Sequence, residues 1–119
     1  MVQVPLDTYF NNKGFGLVPG EANFDQLNHS YPAANLPKGG SYTSTKTNIT
    51  YLFPGYQGNK SDNVVMSGQQ IDVPAASYFS LQMLISSDSG SASGNMTLDY
   101  TDGTSTLAEV RTNAYSTFL

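Results

Sequence analysis

Between Phe10 and Pro32 the chain runs through Phe10-Asn11-Asn12-Lys13-Gly14, a loop holding Gly16, Pro19 and Gly20, then Asn23-Phe24-Asp25 and Ser30-Tyr31-Pro32. Glycine permits positive φ and proline removes an amide donor, so neither helix nor ladder can persist through such a stretch. A segment of this kind is ordered only where its polar side chains are satisfied by backbone amides, a cation or a ligand. Asn11, Asn12, Asn23 and Asp25 all bring oxygens to it. Two arrangements answer the need. One is a hard-cation site, for which oxygen-seeking Ca²⁺ is the fitting ion, with Glu21 or Asp7 as a second carboxylate. The other is a metal-free loop core built from Asx turns and side chain–backbone bonds.

The rest of the chain reads as β. Val2–Phe10 is expected as an opening strand, pushed to a sheet edge by Pro5. Residues 11–40 are expected as a long structured loop with one helical turn at Ala33–Leu36 before Pro37. Tyr42–Lys46 and Asn48–Phe53 carry β-branched and aromatic residues at alternate positions, with Ile49, Tyr51 and Phe53 on one face. A Gly/Asn loop follows from Pro54 to Asp62, then short strands at Asn63–Met66 and Gln69–Val73 around Ser67-Gly68. Tyr78–Ile85 alternates most clearly, Phe79, Leu81, Met83 and Ile85 facing one way. Ser86–Gly94 is Ser/Gly-rich and is expected as a flexible tip. Asp102-Gly103 between two alternating runs predicts a hairpin of Asn95–Thr101 with Thr104–Arg111, and a two-residue turn would pair Leu98 with Leu107. Residues 115–119 begin one more strand-like run. No segment keeps a helical period, so the fold class expected is all-β, an antiparallel β-sandwich, over residues 1–119 as a single domain.

Composition narrows the partners. Charged residues make up 12% of the 119, and the net charge is −4. The five basic residues, Lys13, Lys38, Lys46, Lys60 and Arg111, are scattered, which excludes a phosphate backbone as partner. There is no cysteine, hence no disulfide framework and no thiol chemistry. Sequons stand at Asn28, Asn48, Asn59 and Asn95. No leader-like segment and no long apolar run is read, so a mature secreted, extracellular protein with no membrane partner is expected.

Several of these elements, taken in order, carry a resemblance. They are Phe10-Asn11-Asn12 with Gly14, Asn23-Phe24-Asp25, Ser30-Tyr31-Pro32-Ala33 with Leu36-Pro37, Asp62-Asn63-Val64-Val65 with Gly68-Gln69, and Tyr100-Thr101-Asp102-Gly103-Thr104. Together they resemble galactose-binding-like, jelly-roll β-sandwich modules associated with secreted bacterial and fungal glycoside hydrolases. Two departures stand out. Gln26-Leu27-Asn28-His29 follows Asn-Phe-Asp where such modules run into glycines, and such modules continue past the Asp-Gly hairpin with closing strands. The resemblance therefore implies a sandwich lacking its C-terminal strands, completed by a second polypeptide or by a homodimer.

Candidate chemistry is sparse. His29 is the one histidine and reads as an exposed loop residue without the partners of a triad or a zinc site. A glycoside hydrolase needs two acids about 5–9.5 Å apart across a cleft. Among Asp7, Glu21, Asp25, Asp62, Asp72, Asp88, Asp99, Asp102 and Glu109 nothing singles out such a pair, so no catalytic residue is assigned. A sugar platform is drawn instead from Tyr31, Tyr51, Tyr56 and Tyr78, with Asn59, Asp62 and Asn63 on the adjoining loop. The function expected is a non-catalytic, carbohydrate-associated module of an extracellular glycan-active protein, with a glycan as its ligand. Two alternatives stay open: the N-terminal portion of a glycan-processing enzyme whose catalytic residues lie on another chain, and a structural or assembly β-protein.

Overall fold

The computed structural model describes residues 1–88 and 90–112. Apart from two 3₁₀ turns, at Asp7–Tyr9 and Ala33–Asn35, the regular structure of these residues is entirely β. It comprises three two-stranded sheets. The chain divides into two units, one of Met1–Val73 and one that starts at Pro74. No helix among the described residues is long and apolar enough to cross a membrane.

In the first unit, β1 (Phe15–Gly16) pairs parallel to β2 (Tyr31–Pro32). β3 (Gly40–Thr43) pairs antiparallel to β4 (Thr50–Phe53), setting Tyr42 opposite Tyr51. The turn between them closes through Ser44 N–H to Ile49 O and Asn48 N–H to Ser44 O. The aromatic residues of these short elements supply the packing. Phe15 is buried and stacks on Phe53 at 5.7 Å, and Phe24 meets Tyr31 edge-on at 4.7 Å. Each such ring is worth about 1.5–3 kcal/mol by burial, and each pair about 0.5–1.5 kcal/mol more.

Two strand expectations in this unit are corrected, for one reason: local partners take the backbone groups that a ladder needs. At Val2–Phe10, Tyr9 N–H bonds Leu6 O and Phe10 N–H bonds Asp7 O, which winds the segment into a 3₁₀ turn. At Asn63–Val73 only Asn63 forms a bridge, with Asn12. The amide of Asn11 both accepts from Val65 N–H at 2.7 Å and donates to Val65 O at 3.2 Å. Gln69 folds back on Ser67 N–H and Val65 O, both at 2.7 Å. Side-chain amides thus occupy the place of a neighbouring strand. The turn expected before Pro37 is present, with Leu36 N–H on Ala33 O.

The second unit contains the hairpin, β5 (Ala92–Asp99) with β6 (Ser105–Thr112). Its register is one residue from the one predicted: Leu98 faces Thr106, and Leu107 faces Thr97. The cause is the loop. Gly103 N–H bonds Tyr100 O, Tyr100 N–H bonds Thr104 O, and Gly103 sits at φ 87°. That is a three-residue connection with a left-handed glycine closing it, not a two-residue turn. The observed register sorts the side chains cleanly. Met96, Leu98, Ala108 and Val110 share a half-buried face, while Asn95, Thr97, Asp99, Glu109 and Arg111 share the exposed one with Leu107.

Two further expectations fail in this unit. Tyr78–Ile85 forms no ladder, and all of its side chains are exposed. Alternation specifies a strand only beside an edge with open donors and acceptors, and no described strand pairs with it. Ala92–Gly94, assigned to a flexible tip, lies in β5, because β6 extends to Thr112 and pairs with it. Long-range pairing overrides local composition there. The run 115–119 lies outside the described residues.

Candidate functional site

Three polar constellations organise the first unit. Asp62, only 3% exposed, directs its carboxylate at the loop: Oδ1 accepts from Gly14 N–H at 2.8 Å and Oδ2 from Phe15 N–H at 3.0 Å. Asn63 Nδ2 donates to the same carboxylate at 2.7 Å, and Asn12 Nδ2 donates to Asn63 Oδ1 at 3.2 Å. The adjoining residues that seemed suited to greeting a sugar from the Pro54–Asp62 loop thus turn inward and hold the 11–16 segment. This closes the loop core with protein groups, as the metal-free arrangement requires.

The second constellation is the Asn23–Ser30 loop. Gln26 and Asn28 adopt left-handed φ of 66° and 64°, so the chain doubles back within a few residues. Asn23 Oδ1 accepts from Asn28 N–H at 2.9 Å, and Phe24 N–H reaches His29 O at 2.7 Å. Asp25, 7% exposed, accepts on Oδ1 from Leu27 N–H at 2.9 Å and His29 N–H at 3.1 Å. Its Oδ2 lies 2.5 Å from His29 Nδ1. Burial pushes the Asp25 carboxyl up, but the bonds from the His29 ring and the two amides outweigh it and hold it below the usual carboxylate value. His29 is thus partnered, which corrects the bland reading. The signal was the Asp-x-x-x-His spacing beside an Asn that permits positive φ.

The four candidate calcium residues are therefore occupied separately: Asn11 with Val65, Asn12 with Asn63, Asn23 with Asn28, and Asp25 with Leu27 and His29. Among the described residues, no three His, Cys, Asp or Glu gather as a metal would need.

The third constellation spans two loops. Glu21 accepts from the Tyr56 hydroxyl, from Leu17 N–H at 2.6 Å and from Lys13 Nζ at 3.4 Å. Lys13 Nζ also donates to Phe15 O and Glu21 O, and stands 5.6 Å from the Tyr56 ring centroid. The Tyr56 hydroxyl, then the Leu17 amide, lower the Glu21 carboxyl to about 2 against the opposing push of burial, and Lys13 adds to the lowering. The same bond raises the Tyr56 phenol. Glu21 and Lys13 were missed as site residues, since 35 residues separate Glu21 from Tyr56 and no local pattern links them.

The remaining platform residues are dispersed. Tyr31 packs on Phe24, Tyr51 is half-buried opposite Tyr42, and Asn59 is exposed on the loop that carries Tyr56. Sequon residues Asn28, Asn48, Asn59 and Asn95 are all exposed. On the second unit an open polar groove of about 430 Å³ is lined by Ser91, Ser93, Glu109, Arg111 and Thr112, with Arg111 forked onto Glu109.

The chain belongs to the family of AziU2-like beta-sandwich domains, whose sequence model matches residues 2–119. No curated protein and no solved structure matches it. Membership makes the fold class an all-β sandwich, as the strand pattern predicts.

Proposed function

We propose that the chain is a non-catalytic β-sandwich module that binds a glycan, and that Tyr56 is the centre of the binding surface. One observation carries this reading: Tyr56 is 38% exposed, with the Glu21 carboxylate at its hydroxyl and the Lys13 ammonium near its ring. An aromatic face bordered by a fixed carboxylate and a fixed cation offers a sugar stacking together with hydrogen-bond acceptors and donors. Asn59 adds an amide on the same exposed loop. The resemblance to galactose-binding-like, jelly-roll modules of secreted glycoside hydrolases supports the same reading and suggests an extracellular setting.

Calorimetry against neutral oligosaccharides, galactosides first, tests the proposal. Saturable binding is expected, weakened about tenfold in Tyr56→Ala, since a lost stacking contact is worth about 1 kcal/mol or slightly more. Affinity unchanged by that substitution, or no saturable binding to any glycan, would refute it.

A further inference from the structure

The Asp25–His29 pair lies outside the Tyr56 cluster and has a built character of its own. Two non-glycine residues, Gln26 and Asn28, are held at φ 66° and 64° to form the loop that brings it together. Left-handed backbone at a residue such as glutamine persists only where its surroundings over-determine it, and such positions concentrate where a side chain must be placed. Here the side chain placed is the imidazole. Asp25 is held by two backbone amides, and its remaining oxygen is turned to His29 Nδ1 at 2.5 Å.

The chemistry follows from the donors. An ionised carboxylate accepts only, so Nδ1 carries the ring proton in the neutral imidazole. The basic lone pair then belongs to Nε2, and the carboxylate behind the ring makes that nitrogen a better acceptor. The His29 side chain is 49% exposed, whereas that of Asp25 is 3% exposed. The buried member orients and the exposed member presents.

We propose that His29, backed by Asp25, is a ligand-contacting residue whose Nε2 accepts a hydrogen bond from the hydroxyl of a bound neutral alcohol or polyol. An anion is disfavoured, because the neutral ring sits on a charged carboxylate. A cation is disfavoured too, because among the described residues no third His, Cys, Asp or Glu joins the pair. What remains is an uncharged donor. The inference goes beyond the Tyr56 reading, since it assigns a contact to other residues.

The test uses the full chain with ¹⁵N-labelled histidine. Two-bond ¹H–¹⁵N spectra of the neutral ring should report the Nδ1–H form, and titration with methyl galactoside should shift the His29 ring signals saturably. Asp25→Asn should weaken that binding about tenfold, the worth of one hydrogen bond strengthened by a charge. An Nε2–H ring, ring signals that do not move, or an Asp25→Asn chain that binds as tightly as the parent would each overturn it. Should Asp25→Asn fail to fold, His29→Phe leaves both amide bonds to Asp25 in place and must lose the affinity. Loss in Tyr56→Ala with His29→Phe unaffected overturns this inference alone. Loss in His29→Phe with Tyr56→Ala unaffected overturns the platform reading alone.

Discussion

Glu21 collects a phenol, an amide and an ammonium on one carboxylate, so its protonation state is tied to the integrity of two loops. The folded chain holds its carboxyl at about 2 rather than 4.5, chiefly through Tyr56. A depressed folded value means that the stabilisation is complete above the unfolded value and is lost as pH falls toward the folded one. Melting temperature should therefore decline between pH 4.5 and about 2, with Asp25 contributing in the same direction. Glu21→Gln should flatten that acid limb; a limb unchanged in the variant would show that other carboxylates account for it. At this scale the sequence was partly legible. Asn11, Asn12, Asn23 and Asp25 were rightly picked as polar groups needing partners. Their partners were not legible, because Val65 and Asn63 lie more than fifty positions away. Asp62 was placed at a sugar because nothing in its neighbours shows that Gly14 and Phe15 present bare amides to it.

The connection that closes β3 and β4 depends on two glycines in contact. A Cβ at Gly55 would lie 2.5 Å from Gly39 N, and Gly55 has φ 67°. Backbone, unlike a side-chain tip, cannot move aside cheaply, and the left-handed conformation adds its own cost. Gly55→Ala should destabilise the protein by about 2–4 kcal/mol in urea unfolding, the sum of overpacking and conformational strain. A loss below about 1 kcal/mol would show that the two backbones separate freely. Elements were legible where a turn residue and its flanking strands agree, as at β3–β4 and β5–β6. The hairpin was located correctly but its register was not, because Asp-Gly also suits a three-residue loop with Gly103 left-handed. Tyr78–Ile85 shows the opposite failure: periodicity describes what a segment can do, while the neighbour that would make it a strand is not written within it.

For the molecule as a whole, the sandwich class followed from absent helical periodicity, frequent turn signals and alternating runs, and family membership agrees with it. Its closure was not legible. The proposal that a second polypeptide or a second copy completes the sheets finds support in exposed apolar side chains, with Phe79 fully exposed and Leu81, Met83 and Ile85 at 40–47%. Water in contact with so much apolar surface favours association. Light scattering should show a mass above 12.8 kDa that rises with concentration. Phe79→Ser with Leu81→Ser should restore the monomer. A parent chain that remains monomeric at every concentration would count against both partners.

Asp62 has one more consequence, and it concerns time. The amides of Gly14 and Phe15 lie under its carboxylate, buried although only one of the two residues' neighbours belongs to a sheet worth the name. In deuterated solvent such protons leave only when the loop opens. They should therefore outlast the amides of the exposed β3–β4 pair, so that the slowest clock of the first unit would be kept in a loop.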